Sequence, residues 1–354
     1  MNIGIVGGGI GGTAAAVALQ RAGIDTVVYE RAPAFREVGA GMMLWPNATR
    51  VLRDLGMLEP VLQCSGSNTH FLVRTSDGTV LMNIALGKFD VPAICMRRSD
   101  LLAILLAPLP KETMRLGHQL VDVKQSKDKV RLSFQNGFVA EHDAVIGADG
   151  IRSRVRLQLF GQSDPIYRGY AVWRGVARYN GDGIIPGVNS ETWGAGSRFG
   201  ILHVGPGKFT WYATANQSSD HADAPGDCRR ELPATFHGWH KPIPQLIAAT
   251  EPEEIVKHGA YDSAPLRCWS KGRITLMGDA AHPCTPNLGQ GGCMALEDAA
   301  MLARCLTEQT SPAAAFRRYE TLRRHRTRNI QQRSRVIGEI GQWEIDSSLQ
   351  DVAW

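Results

Sequence analysis

Two hydrophobic periodicities follow each other at the start of the chain. Apolar side chains at Ile3, Ile5 and Val6 are typical of a short buried strand, and the alanine-rich stretch at residues 13–22 predicts a helix. A second strand is predicted at residues 25–30, where Val27, Val28 and Tyr29 precede Glu30. Strand, helix and strand in this order predict the start of a βαβ unit, and therefore a parallel sheet.

The middle of the chain shows a period of two instead. Residues 170–177, 198–204 and 208–214 alternate in this way, and residues 71–73 and 80–84 extend the pattern. These runs predict an antiparallel sheet that offers one face to a site and the other to solvent or helices.

Shorter signals complete the predicted elements. Asn136-Gly137, between apolar runs, predicts a hairpin over residues 130–142. Residues 313–337 predict a long C-terminal helix that begins at Pro312, because proline suits the first helical turn.

Three glycines separate the first strand from the first helix. Gly7 permits a tight turn, Gly9 lets the backbone approach a pyrophosphate, and Gly12 lets the helix pack close to the strand. Glu30, at the end of the second strand, is placed to accept hydrogen bonds from ribose hydroxyls. The unit is therefore predicted to bind a dinucleotide.

Two further strands also run into glycine-containing turns. The strand at residues 144–146 leads to Asp149 and Gly150, followed by a basic helix start. The strand at residues 274–277 leads to Gly278-Asp279 and a loop rich in proline and glycine, with a helix predicted from about Met294. Backbone amides at such a helix start can lie against a planar, electron-accepting ring and stabilise negative charge on it.

Composition narrows the class of protein. The net charge is +5, and arginines near the C-terminus are spaced like a solvated helix face, so no nucleic-acid partner is expected. The seven cysteines are odd in number and form no CxxC pair, which indicates reduced thiols in the cytoplasm and no zinc or other metal site. No signal peptide is expected before the first strand, and no apolar stretch is long enough to span a bilayer.

The three motifs in this order resemble the group A flavoprotein monooxygenases, single-component aromatic hydroxylases that use FAD. Ser153 and Arg156 fit the family's DG motif, and His282 and Pro283 fit its GD motif. The resemblance implies a set of cofactor-binding residues, which are Gly7, Gly9, Gly12, Glu30, Arg31, Arg98, Val121, Asp149, Gly150, Asp279, Pro286, Gly289, Gln290, Gly291 and Gly292.

Two departures from the family pattern concern the subgroup. Gly292-Cys293 stands where many members have a residue followed by asparagine, and Cys293 is expected to be a packing residue. The histidine base that some hydroxylases of nitrogen heteroaromatics carry is missing from Met42 to Asn47. The Trp45-Pro46-Asn47 version resembles the bacterial urate-hydroxylase branch, and salicylate and 6-hydroxynicotinate hydroxylases are similar as well.

The resemblance also implies the reaction. NADH or NADPH reduces FAD and leaves, O2 gives a C4a-hydroperoxide, and this species hydroxylates an electron-rich ring carbon of a small aromatic molecule. The candidate catalytic residues are Pro286, Tyr212, Arg174 and His203, and the candidate substrate contacts are Trp45, Arg174, Thr210 and Tyr212. Each has a plainer alternative: turn geometry for Pro286, a half-buried sheet tyrosine, a surface cation and a structural histidine.

The implied fold is mixed α/β and similar to p-hydroxybenzoate hydroxylase. A discontinuous Rossmann-like FAD-binding domain is expected at residues 1–67, 97–164 and 266–310. It is interleaved with a substrate-binding β-sheet domain at residues 68–96 and 165–265, and residues 311–354 form a C-terminal helical segment. The oligomeric state is expected to be a monomer or homodimer.

Other functions of flavoproteins remain open on the sequence. Olefin epoxidation is the nearest alternative within the same family, and a flavin-dependent reductase or a non-catalytic FAD-bound redox sensor would keep the same motifs. A flavin halogenase is disfavoured, because its Trp-x-Trp-x-Ile-Pro motif is absent.

Overall fold

The computed structural model describes residues 1–35, 41–161, 164–185, 187–205, 207–218 and 228–344. The strands, in chain order, are β1 (Asn2–Val6), β2 (Asp25–Tyr29), β3 (Gly41–Leu44), β4 (Gly66–Asn68), β5 (His70–Thr75), β6 (Val80–Ala85), β7 (Ala93–Arg97), β8 (Met114–Arg115), β9 (Leu120–Gln125), β10 (Val130–Phe134), β11 (Val139–His142), β12 (Ala144–Gly147), β13 (Ile166–Arg178), β14 (Val188–Gly194), β15 (Ser197–Gly205), β16 (Lys208–Asn216), β17 (Val256–Asp262), β18 (Ser270–Lys271) and β19 (Ile274–Leu276). The helices are α1 (Ile10–Arg21), α2 (Pro46–Asp54), α3 (Leu58–Gln63), α4 (Arg98–Leu106), α5 (Arg154–Phe160), α6 (Cys228–Thr235), α7 (Ile243–Ala248), α8 (Gly291–Glu308) and α9 (Pro312–Gly341).

A six-stranded sheet holds the three glycine-containing turns at one edge. Its strand order is β18-β19-β12-β1-β2-β8, and all neighbours pair in parallel except β18 and β19. The turns after β1, β12 and β19 therefore meet at the carboxyl ends of adjacent parallel strands, where ligands of open α/β sheets bind. The predicted α/β class is confirmed.

Small side chains bring α1 and α8 close to this sheet. Ala14, Ala15 and Ala16 of α1 are fully buried, and so are Leu296 and Ala299 of α8. Because alanine adds little bulk, the two helices pack against each other and against β1 in one core. This packing fixes the start of both helices at the sheet edge.

A seven-stranded sheet contains the alternating segments. Its order is β17-β13-β16-β15-β14-β5-β6, so strands from two separated parts of the chain lie side by side. Its pairs are antiparallel except β14 and β5, which are parallel. One face packs against α6 and α7 through a core that includes Trp211 and Phe236. We call the opposite face the inner face; it carries Tyr212, Thr210 and Arg174.

Two smaller sheets and the terminal helix complete the fold. The strands β11-β10-β9 form an antiparallel sheet, and β3-β7-β4 form another. The predicted hairpin is confirmed, with Gly137 at φ +81° in its turn. The C-terminal helix begins at Pro312 as predicted and continues to Gly341, and the Ser311 hydroxyl accepts a hydrogen bond from the Ala314 amide.

Two helix starts differ from the sequence prediction. Helix α1 begins at Ile10 and α8 at Gly291, each three residues before the predicted position. In both cases glycines occupy the first turn, where they cost less than in a helix interior because the terminal turn is partly unpaired. Among the helices of the described residues, none is long and apolar enough to cross a bilayer.

Candidate functional site

The turn after β1 is built from close backbone approaches. Gly7 has φ +108°, and a Cβ there would lie 2.4 Å from the carbonyl oxygen of Ala148. A Cβ on Gly12 would lie 1.9 Å from the Gly7 carbonyl oxygen, so only glycine lets α1 start this close to the strand. Gly9 differs, since a Cβ there would meet no atom of the described residues within 4 Å. The backbone at Gly9 thus borders open space at the amino end of α1, which suits an approaching phosphate.

Glu30 fixes the neighbouring rim of this space. Its carboxylate accepts hydrogen bonds from the Gly8 amide (2.7 Å) and the Ala32 amide (2.9 Å). Arg31 follows it as an exposed side chain. Val121 lies on β9 in the three-stranded sheet and is 44% exposed.

The DG motif supports the N-terminus of α5, whose N-cap residue is Ser153. The Asp149 carboxylate accepts hydrogen bonds from the Ser153 hydroxyl (2.5 Å) and the Arg154 amide (2.7 Å), so it stabilises the start of α5. Gly150 has φ +80°, and within the described part of the chain a Cβ there would meet no atom within 4 Å, which leaves a second open backbone surface.

Arg156 connects the DG motif to the GD motif. Its guanidinium is 2% exposed and donates to the carbonyl oxygens of Ala280 (3.0 Å), Asp279 (3.3 Å) and Ile151. Two loops that are far apart in the chain are therefore held at a fixed separation. The Asp279 carboxylate itself is exposed and accepts no hydrogen bond from the described residues.

Buried charged side chains hold the loop between β19 and α8, residues 278–290, which we call the GD loop. Asp298 of α8 accepts hydrogen bonds from the Gly278 amide (2.9 Å), His282 Nε2 (2.6 Å) and Arg323 Nε (2.7 Å). Burial raises the pKa of Asp298, but His282 and Arg323 outweigh it and lower the pKa to about 2. His282 is 1% exposed, so it shapes the loop as expected from its place in the motif.

Helix α9 holds the same loop from the side. Gln331 Nε2 donates to the Pro283 carbonyl oxygen (2.9 Å), and the Ser334 hydroxyl donates to the Thr285 carbonyl oxygen (2.7 Å). Pro286 then opens a single 3₁₀ turn, and Gly289 reverses the chain with φ +59° into α8.

Helix α2 and strand β3 contact the end of the loop that leads into α8. Trp45 Nε1 donates to the Leu288 carbonyl oxygen (3.1 Å), and Asn47 Nδ2 donates to Gln290 Oε1 (3.1 Å). Met42 lies over the first turn of α8, where a Cβ on Gly292 would be 2.5 Å from its methyl carbon. Cys293 is fully buried beneath this turn, in agreement with a packing role.

One row of residues crosses the inner face of the seven-stranded sheet. Arg174 pairs with Tyr212, Tyr212 with Gly200, and Gly200 with Glu191, so all four positions share this face. The Tyr212 ring crosses over Gly200, where a Cβ would lie 2.1 Å from ring carbons. Its hydroxyl donates a hydrogen bond to Glu191 Oε2. Burial, and then the Glu191 charge, raise the pKa of Tyr212 well above its usual value.

A buried arginine links this row to the GD loop. Arg198, 1% exposed, donates to Glu191 Oε1 (3.2 Å) and to Asn287 Oδ1 (2.5 Å). The Asn287 amide nitrogen in turn donates to the Tyr170 hydroxyl (3.0 Å) and the Ser334 carbonyl oxygen (2.8 Å). The residue next to Pro286 is thus tied to the sheet and to α9 at once.

A cationic region lies at the β13 end of the row. Arg174 Nη1 lies 2.6 Å from His258 Nε2, which accepts its hydrogen bond. Partial burial and the charge of Arg98 lower the pKa of Arg174 to about 10, so its guanidinium stays charged at neutral pH. Arg98 is exposed at the start of α4, and its charge also acts on Asp279. This region suits an anion beside the GD loop.

Comparisons with known proteins agree with this geometry. Residues 1–334 match the family described as FAD binding domain. The chain is 40% identical over 344 residues to aurachin C monooxygenase/isomerase of Stigmatella aurantiaca, covering 96% of this chain and 89% of that protein. This chain belongs to the FAD-dependent monooxygenases.

Other members of the family match over similar lengths. The 6-hydroxynicotinate 3-monooxygenase of Bordetella bronchiseptica is 37% identical, covering 93% of this chain and 89% of that enzyme. The crystal structure of Klebsiella pneumoniae HpxO complexed with FAD and uric acid has a TM-score of 0.94 at 28% identity, covering 100% of this chain and 91% of that one. The monooxygenase fold therefore extends over the whole chain.

Of two further predicted substrate-side residues, His203 lies away from the inner-face row, whereas Thr210 lies on the inner face with its hydroxyl bonded within the protein. His203 neighbours Leu202 on β15, and adjacent strand residues point to opposite faces. Its ring lies 5.0 Å from Phe209, in the core covered by α6 and α7, so the structure does not bring His203 to the inner-face row. The Thr210 hydroxyl donates to the Gly175 carbonyl oxygen (3.0 Å) and accepts from the Gly41 amide (3.1 Å), which ties β16 to β3.

Four residues at the site of this monooxygenase were missed by the sequence analysis. They are Glu191, Arg198, His258 and Asn287. Asn287 adjoins Pro286 inside a recognised motif, so its position was a usable signal. The other three lie on strands without a motif, and only the sheet register brings them to Tyr212 and Arg174.

Replacing Gly200 with alanine should displace the Tyr212 ring, because the new methyl group would overlap it. We expect affinity for phenols to fall about tenfold, the worth of one hydrogen bond of this kind, while FAD affinity is unchanged. Isothermal titration of the FAD-loaded variant with a phenol, and of the FAD-free variant with FAD, measures the two affinities. Gly87→Ala is the control, since a Cβ at Gly87 meets nothing within 4 Å. Unaltered phenol binding in Gly200→Ala would contradict the expectation that Tyr212 contacts the substrate.

Proposed function

We propose that this monooxygenase hydroxylates a small aromatic or heteroaromatic molecule, with FAD, O2 and NADH or NADPH. The observation that carries the proposal is the inner-face row, which places a tyrosine hydroxyl and an arginine on the sheet that is tied to the GD loop. The curated relatives that act on hydroxylated aromatic rings support the same substrate class.

An apolar wall beside Tyr212 supports an aromatic ligand. Tyr212 packs with Phe71 and Trp45 against a cluster that includes Met43 and Leu202. Aromatic and aliphatic walls with few polar groups are typical of sites for small ring compounds. Arg174 would attract an anionic substituent of the substrate, and Tyr212 would contact a ring hydroxyl.

The residues present fit FAD. The open backbone at Gly9 and the amino end of α1 would hold the pyrophosphate, Glu30 the ribose, and the exposed Asp279 carboxylate the ribityl hydroxyls. Bound FAD would supply the reductive activation of O2. The remaining proposed contacts with FAD are Gly7, Gly12, Arg31, Arg98, Val121, Asp149, Gly150, Pro286, Gly289, Gln290, Gly291 and Gly292.

The chain's own residues would position the substrate and exclude water. Pro286, fixed by its ring and by α9 on one side, would set the shape of the loop above the substrate. Trp45, bonded to the Leu288 carbonyl oxygen, would close the same side. A dry site matters because water lets reduced flavin release hydrogen peroxide instead of transferring oxygen.

Labelled oxygen tests this function directly. The FAD-loaded protein is incubated with NADH or NADPH under ¹⁸O2 and a panel of 6-hydroxynicotinate, urate and 3-amino-4-hydroxybenzoate, and products are examined by mass spectrometry. One ¹⁸O atom on an aromatic carbon, with substrate-stimulated NAD(P)H consumption, supports the proposal. Label found only in hydrogen peroxide across phenols and heteroaromatics contradicts it, and an epoxide from an added olefin would establish the alternative.

A further inference from the structure

The hydrogen bond between Tyr212 and Glu191 is made possible by a missing side chain. Gly200 lies between their two strands in the row, and its lack of a Cβ lets the Tyr212 ring pass over β15 to β14. The hydroxyl then reaches Glu191 Oε2. A tyrosine that merely filled space would need neither the glycine nor the carboxylate at this position.

The direction of this hydrogen bond follows from the other partner of Glu191. Arg198 donates to the second carboxylate oxygen, Oε1, from a guanidinium that is 1% exposed. A carboxylate in such a buried ion pair is an acceptor on both oxygens. The single proton of the Tyr212 hydroxyl is therefore committed to Glu191.

A tyrosine hydroxyl has one proton and two lone pairs. With its proton committed, Tyr212 offers only lone pairs to a ligand. We infer that Glu191 is a positioning residue that fixes Tyr212 as a hydrogen-bond acceptor, so that the substrate is held by its own O–H or N–H group. The inference rests on the proposed function, because it requires Tyr212 to face the substrate. It selects hydroxylated rings and ring N–H tautomers over ring nitrogens or carbonyls that can only accept.

The Glu191→Gln variant reverses this arrangement. Arg198 has only donors, so it takes the carbonyl oxygen of the new amide and turns the amide NH2 toward Tyr212. The Tyr212 oxygen then accepts from Gln at position 191, and its proton is released toward the ligand. The variant keeps the size of the side chain and changes the polarity of Tyr212.

Three neutral bicyclic probes of similar shape test whether Tyr212 accepts or donates a hydrogen bond to a ligand. The probe 2-naphthol can donate a hydrogen bond, quinoline can only accept one, and naphthalene can do neither. Isothermal titration of the FAD-loaded protein gives their dissociation constants. In the unmodified protein, 2-naphthol should bind about tenfold tighter than naphthalene, and quinoline no tighter. In Glu191→Gln, quinoline should gain about tenfold over naphthalene. Neutral probes keep the lost charge of Glu191 from deciding the result.

Two further variants separate polarity from structural damage. Adding Tyr212→Phe to Glu191→Gln should abolish the gain for quinoline, because the donor is gone. Glu308→Gln, an exposed residue of α8, should leave all three constants unchanged. An unchanged order of probes in Glu191→Gln overturns the inference, as does a quinoline gain that survives Tyr212→Phe. Absence of saturable binding in the unmodified protein also overturns it, whereas oxygen transfer is judged separately by the ¹⁸O label.

Discussion

Replacing Gly9 with alanine should weaken FAD binding about a hundredfold or more, a loss of about 2.7 kcal/mol. The added methyl group meets no atom of the described residues within 4 Å, so its effect falls on a ligand that approaches the backbone there. Gly9 has φ −73°, which alanine adopts without strain. Fluorescence titration of the FAD-free protein with FAD measures the affinity.

The cofactor-free Gly9→Ala protein should remain folded. Its free energy of unfolding in urea should fall by no more than about 1 kcal/mol, the cost of alanine at a helix N-cap. Gly87→Ala should alter neither quantity, because its Cβ also points into open space but lies outside the turn. Full FAD affinity in Gly9→Ala would show that the pyrophosphate does not pass over this residue.

Asp298→Asn should lower the free energy of unfolding by about 3–5 kcal/mol, as expected when one partner of a buried ion pair is removed. All three groups around Asp298 approach as donors, namely the Gly278 amide, Arg323 Nε and His282 Nε2. An asparagine there would turn an NH2 group toward at least one of them. Urea unfolding followed by circular dichroism measures the loss.

The stability lost in Asp298→Asn should depend on pH. The pKa of Asp298 falls from its ordinary value of 3.8 to about 2 in the folded protein, so its contribution is complete above pH 3.8 and declines as the pH falls toward 2. The stability difference between the unmodified protein and Asp298→Asn should therefore shrink over this interval. Glu308→Gln, which removes an exposed pair with Arg304, should cost less than about 1 kcal/mol at every pH. A difference that grows on acidification would contradict the role of Asp298.

Local motifs made the cofactor side of the fold predictable. Gly12 is dictated by a backbone contact within one turn, because a Cβ there would meet the Gly7 carbonyl oxygen, and the Asp149 carboxylate accepts a hydrogen bond from the Ser153 hydroxyl only four residues later. Such constraints act between residues close in sequence, so their spacing carries the signal. The alternation in the seven-stranded sheet was predictable for the same reason, since the direction of the side chains along a strand repeats every two residues.

Pairing between distant segments explains what the sequence did not reveal. Arg198 meets Asn287 across 89 residues, and Arg174 meets His258 across 84. Nothing near Arg198 in sequence distinguishes it from a solvated strand arginine, and only the sheet register makes it a buried tie. His203 shows the converse, because its strand was predicted while the face it occupies depends on which neighbour packs over it.

The long C-terminal helix bears on how enzymes of this family could be recombined. Gln331 and Ser334 hold carbonyl oxygens of the GD loop, and Gln342, just beyond the helix, bonds Thr214 on β16 (2.8 Å). A chimera that exchanges α9 alone would carry a helix whose side chains match the loop and the sheet of a different enzyme. The GD loop, α9, β15 and β16 should therefore be exchanged together, and crossover points should lie outside these segments.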